Sequence, residues 1–164
     1  LSIVYDISEQ DIHVFVDAVS HYFMQITHEK AEIRGAFLAR GESFPPTFDL
    51  TGMIKISGKL RGRVYFSAPR AMLARLLLSM HESCLSDEWL LDAVGEIANT
   101  IAGNARRHFG EAMEISVPET MSTPPKWQES AVRARPYVIL VRWKRHDASV
   151  IVDIEPTPSA EVQT

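Results

Sequence analysis

DAVGEIANTIAGNARRHF, residues 92–109, reads as one long helix with two unlike faces. At about 100° per residue, Leu90, Leu91, Val94, Ile97, Ala98, Ile101, Ala102, Ala105 and Phe109 gather on one side. Asp92, Glu96, Asn99 and Gly103 fall in a narrow stripe on the other side. Glu96 and Asn99 are therefore neighbours on the outward face, with about 5–6 Å between their Cβ atoms. A broad apolar face needs a surface to lie on, and the segments around it supply one. Ser86 is placed to cap this helix, although Trp89 stands where a capping box would have Glu or Gln. Gly110 supplies its stop, so the spacing predicts a helix over 87–109.

Working outward, SEQDIHVFVDAVSHYFMQI carries Ile12, Phe15, Val16, Val19, Phe23 and Ile26 at helical spacing behind Ser8, which predicts a first helix over 8–27. AEIRGAFLAR reads as a strand, weakened by Gly35, and Pro45 and Pro46 mark a loop. TGMIKIS and LRGRVYFS flank Ser57-Gly58-Lys59 as a hairpin. In the second of these strands Leu60, Gly62, Val64 and Phe66 alternate with Arg61, Arg63 and Tyr65, as in a sheet covered on one face. APRAMLARLLLSM opens a second helix, with Pro69 at an early helical position. After the long helix, MEISVP is a short strand and Pro118, Pro124 and Pro125 mark an irregular stretch. RPYVILVRWKR and SVIVDIE close the domain as a second hairpin around His146-Asp147-Ala148. The pattern is α+β: a single domain, a largely antiparallel sheet with long helices packed on it. The domain is expected over 1–155, with 156–164 a disordered tail or linker.

Composition narrows the function classes. With 164 residues, 46% of them hydrophobic and 23% charged, the chain has enough apolar side chain for an ordinary core. A net charge of −4 disfavours non-specific binding to nucleic acid. The alternating basic residues Lys59, Arg61, Arg63, Arg142 and Lys144 read as solvated sheet faces. Cys84 is the only cysteine, which excludes an internal disulfide and a cysteine-based metal cage, and suits a reducing cytosol. The longest apolar run, AMLARLLLSM, is too short to span a membrane and is interrupted by Arg75. The expected location is cytoplasmic, and the start at Leu1 rather than Met is expected to lie within a longer gene product. The six histidines fall into no metal-binding spacing, and no phosphate loop or nucleophile turn is present. Trp89, Trp127 and Trp143 are expected in the core or at an interface, and Met72 and Met80 in the core.

Spacing alone leaves the polar stripe as the wet side of an amphipathic helix. Two details pull against that reading. Asn is a poor residue for a helix interior, and Gly95 and Gly103 each cost about 1 kcal/mol relative to Ala. A helix carrying Gly95, Asn99, Gly103 and Asn104 is weak for its length unless something must approach it closely.

LLDAVGEIANTIAGNAR resembles the signature of the CheC/CheX/FliY family of chemotaxis phosphatases: an Asp or Ser, here Asp92, then Glu four residues on and Asn three later. Glu96–Asn99 is the single Glu-x-x-Asn pair in the chain, which resembles the CheX branch; the CheC branch typically has two. The similarity extends back through GRVYFSAPRAMLARLLLSM and forward to ISVP, covering about Thr51 to Val152. The stretch from Glu119 to Arg135 is longer and richer in proline than the family pattern.

The resemblance implies a CheC-like fold, a homodimer, and hydrolysis of the aspartyl phosphate on a CheY-type response regulator. It implies Asn99 as the residue that orients the attacking water and Glu96 as the one that docks on the regulator's active-site Lys. Asp92 and Gly103 become flanking contacts. No cofactor or metal is implied on this chain, the Mg²⁺ belonging to the regulator. The apolar strands YVILVRW and VIVDI are the expected edge or interface elements. The competing reading is a non-catalytic module of the same fold that binds regulators or serves switch assembly, as FliM-type proteins do; these generally lack the Glu-x-x-Asn pair.

Overall fold

The computed structural model describes residues 7–39 and 45–158. In chain order the elements are α1 (Glu9–Thr27), β1 (Glu32–Leu38), β2 (Leu50–Gly58), β3 (Leu60–Ala68), α2 (Arg70–Ser79), α3 (Asp87–Phe109), β4 (Met113–Ile115), β5 (Glu119–Met121), α4 (Trp127–Ser130), β6 (Tyr137–Trp143) and β7 (His146–Pro156). A single 3₁₀ turn, Gly110–Ala112, joins α3 to β4.

The strands form one sheet in the order β1-β6-β7-β3-β2-β4, with β5 also paired to β2, and every pairing is antiparallel. The three longer helices cover one face. There Phe15 and Phe23 of α1, Leu73 and Leu76 of α2, and Val94, Ile97 and Ile101 of α3 meet Ile54, Val64, Val150 and Val152 of the sheet. Each such side chain contributes about 1.5–3 kcal/mol on burial, so this layer is the main source of stability. A smaller cluster of Met53, Tyr65, Trp127 and Ile151 closes the other face under α4. The buried Asp153 carboxylate holds the chain there, accepting from the backbone N–H groups of Val132 and Arg133, both at 2.9 Å.

Local chemistry explains where the helices begin. At Ser8 the hydroxyl accepts from Asp11 N–H at 3.2 Å, and the Asp11 carboxylate accepts from Ser8 N–H at 2.9 Å. This reciprocal box satisfies two N–H groups that the helix leaves without partners. Pro69 sits one residue earlier than expected, at the N-cap of α2, with extended backbone geometry. Ser86 occupies the N-cap of α3 but gives it no side-chain hydrogen bond. The start of α3 is fixed instead by the Asp87 carboxylate, which takes two bonds from Arg70, each 3.2 Å.

Several expectations need correction. The β6–β7 turn is Lys144-Arg145, because Trp143 pairs with His146 and Asp147 is already in β7 opposite Arg142. YVILVRW and VIVDI are not edge strands: β1 covers β6, and β3 covers β7. Met80 is 39% exposed rather than in the core, whereas Met72 is fully buried. The irregular stretch after Ile115 contains β5 and α4. Of the expected tail, Pro156 ends β7 and the Thr157 N–H donates to the Lys59 carbonyl at 2.9 Å, while 159–164 lie outside the described residues.

Candidate active site

The helix that carries the polar stripe is fixed at three points. Its first turn is held by Arg70 and Asp87. Its middle lies directly on the sheet at Gly52 of β2, where a Cβ would overlap the Val94 carbonyl oxygen. Its last turn is held to the start of α1 by His108 Nε2 and the Asp11 carboxylate, 3.2 Å apart, and by Phe109 against Phe15, 6.2 Å between ring centres. Burial pushes the Asp11 carboxyl up, but the hydrogen bonds it accepts from Ser8 and His108 outweigh this and hold it below its ordinary value. The stripe is thus presented by a stiff rod rather than by a loop.

Leu90, Val94, Ile97, Ala98, Ile101, Ala102 and Ala105 are buried on the inner side of that rod. On the outer side Asp92 and Glu96 are exposed, and Asn99 and Gly103 are half-buried. At about 1.5 Å per residue, the stripe from Asp92 to Gly103 runs about 16 Å. The side chains of Asp92, Glu96 and Asn99 make no hydrogen bond or ion pair among the described residues. Only the backbone beneath Glu96 is engaged, its carbonyl accepting from the Thr100 hydroxyl at 2.9 Å. An amide with both its oxygen and its NH₂ free can orient a water in either sense, and a carboxylate one turn away can take a cation.

The two glycines of α3 have different causes. Gly95 faces inward, and a Cβ there would lie 2.9 Å from the Thr120 methyl and 3.5 Å from Pro118 Cβ. Its smallness serves the chain's own packing against β5, not a visitor, which corrects half of the argument drawn from the sequence. Gly103 has nothing within 4 Å of such a Cβ and stays open.

Beside the stripe lies a feature the sequence reading missed. A cleft of about 320 Å³ opens between α1, α2 and α3, walled by Met80, Trp89 and Ile97. Among the described residues its charged lining is Glu82, Asp92 and Glu96, all acidic. Trp89 is 43% exposed, so it is neither a core residue nor covered. The signal was present in the spacing: residues 89, 92, 96 and 99 step along one helix face. Tyr22 lines the same cleft, and its phenol is pushed up to about 12, chiefly by burial and then by the Glu96 carboxylate. Among the described residues no three His, Cys, Asp or Glu side chains come together as metal ligands. No helix among them is long and apolar enough to cross a membrane.

The fold is shared with solved structures of low sequence identity. Chemotaxis protein CheX from Vibrio vulnificus superposes with a TM-score of 0.74 at 16% identity, over 89% of this chain and 99% of that one. A CheC-like superfamily protein from Shewanella sp. PV-4 gives 0.75 at 17% identity, over 90% and 99%. A chain of the CheX–CheY–BeF₃–Mg²⁺ complex from Borrelia burgdorferi gives 0.68 at 17% identity, over 87% and 96%. No curated protein matches the sequence. The sequence profile described as chemotaxis phosphatase CheX matches residues 50–141, more than half of the chain and the whole of the stripe. The chain therefore belongs to the CheX family of chemotaxis phosphatases.

Proposed function

We propose that this protein removes the phosphoryl group from the aspartyl phosphate of a CheY-type response regulator. The observation that carries this reading is the pair Glu96 and Asn99, one turn apart on the outward face of a rigid helix, each without a partner among the described residues. Membership of a phosphatase family supports the activity. The Borrelia burgdorferi complex of a CheX with CheY, beryllofluoride and magnesium supports the class of partner.

The chemistry asked of this chain is small. An acyl phosphate hydrolyses without help, and the regulator holds the phosphoryl group with its own Lys and Mg²⁺. What is added is a water placed in line with phosphorus, and Asn99 supplies the amide that orients it, converting a diffusive encounter into a positioned one. Glu96 is a poor base beside an anionic phosphate; its role is to pair with the regulator's Lys and set the docked register. Asp92 and Gly103 flank the contact, Gly103 leaving room for the regulator's backbone. The protein works as a homodimer, with β1, an edge strand of the sheet among the described residues, as the place where two copies can join. The test is the decay of a phosphorylated CheY-type regulator with and without the protein. Faster decay supports the reading, and an unchanged half-life over a range of regulators contradicts it.

A further inference from the structure

The cleft at Trp89 shares two walls with the stripe, since Asp92 and Glu96 both line it. A protein that brings a cation to Glu96 must lay the adjoining part of its surface across this cleft. Resting on the phosphatase reading, we infer that the cleft is the anchor point for the same regulator. It takes an apolar side chain that stands next to a Lys or Arg on the receiver domain's docking face.

Three observations select that occupant. At about 320 Å³ the cleft is at the small end of the roughly 300–1,000 Å³ of cofactor and metabolite sites, which suits one inserted side chain. Its rim carries Glu82, Asp92 and Glu96 with no lining cation among the described residues, so an anionic ligand is disfavoured and a basic flank is favoured. Two of its apolar lining residues remain open to solvent, Trp89 at 43% and Met80 at 39% exposed, and a half-exposed Trp beside a cleft is the residue type that dominates interface energetics. Ten residues separate Trp89 from Asn99, about 15 Å along the helix. The anchor is therefore remote from the phosphorus and acts on binding, while Asn99 acts on the reaction.

The test uses a CheY-type receiver domain from the same genome, loaded with Mg²⁺ and beryllofluoride for binding and phosphorylated for turnover. Trp89→Ala should raise both Kd and KM about tenfold or more, with kcat at saturation within about twofold. Met80→Ala, at the wall just past the end of α2, should move the same two constants in the same direction. Leu78→Ala removes a side chain 53% exposed but outside the cleft and should move neither. Added salt should weaken wild-type binding through the acidic rim. Normal wild-type turnover together with an unchanged Kd and KM for a folded Trp89→Ala overturns the inference alone. Loss of self-association in Trp89→Ala, with regulator binding intact, also overturns it and assigns the cleft to a second copy. Failure of the wild type to bind or turn over any loaded receiver domain overturns the parent reading as well.

Discussion

Glu96 and Asn99 sit one turn apart, neither side chain hydrogen-bonded or ion-paired among the described residues, yet they suit different tasks. The Glu96 carboxylate acts through charge, and the charge is felt within the molecule at Tyr22. Replacing it with Gln removes that field, so in Glu96→Gln the Tyr22 phenol should titrate below about 12 but still above 10.0, because burial is the larger cause and remains. NMR titration of the Tyr22 ring reads this, and an unmoved Tyr22 would place the carboxylate elsewhere. In the reaction, Glu96→Ala should slow regulator dephosphorylation mainly by weakening docking, so part of the loss should recover at high protein concentration. Its exposed position keeps the stability change within about 0.5 kcal/mol, which separates a functional defect from a folding one. A Glu96→Ala defect that no concentration relieves would move Glu96 into the chemical step.

At the scale of elements, α3 was the most legible part of the chain. Its apolar period, Ser86 and Gly110 together placed it at the residues where it lies, Asp87–Phe109. What the period could not convey was how closely the helix rests on β2. That depends on Gly52, some forty positions away in sequence, and on the overlap any Cβ there would make with Val94. Gly52→Ala should cost about 1–3 kcal/mol, as overpacking does, because the obstacle is helix backbone and cannot rotate away. A drop in Tm on thermal unfolding checks it, and a Tm equal to wild type would mean the helix can lift without loss. β5 and α4 were illegible for a similar reason. β5 exists through pairing with β2, and the chain around α4 is held by Asp153 on β7. The Lys144-Arg145 turn carries no Gly or Asn to mark it, although Lys144 adopts a φ of 56°.

For the molecule as a whole, alternation and helical period conveyed the α+β class, while strand order did not follow from them. YVILVRW and VIVDI are expected at an edge or an interface, but a near-continuous apolar run is what a strand covered on both faces requires, and β6 and β7 are interior. Long-range stitching also sets the response to acid. Burial raises the Asp11 carboxyl, but the hydrogen bonds it accepts from Ser8 and His108 together outweigh this and leave the folded value below 3.8. A depressed carboxyl stabilises the fold above its unfolded value, and the contribution is lost as pH falls through the folded one. Asp11→Asn should therefore lower Tm near neutral pH, and the gap from wild type should close as pH drops below 3.8. A gap of constant size down to about pH 2 would rule out the carboxylate charge as its source. The most direct test of the central claim is the decay of a phosphorylated CheY-type regulator with wild type and with Asn99→Ala, both folded and both bound to the regulator. Removing one positioned polar group at a reacting centre costs on the order of 10²–10³ in rate, so Asn99→Ala should lose most of the acceleration at any protein concentration. Equal acceleration by the two proteins would leave Asn99 a surface residue and contradict the account.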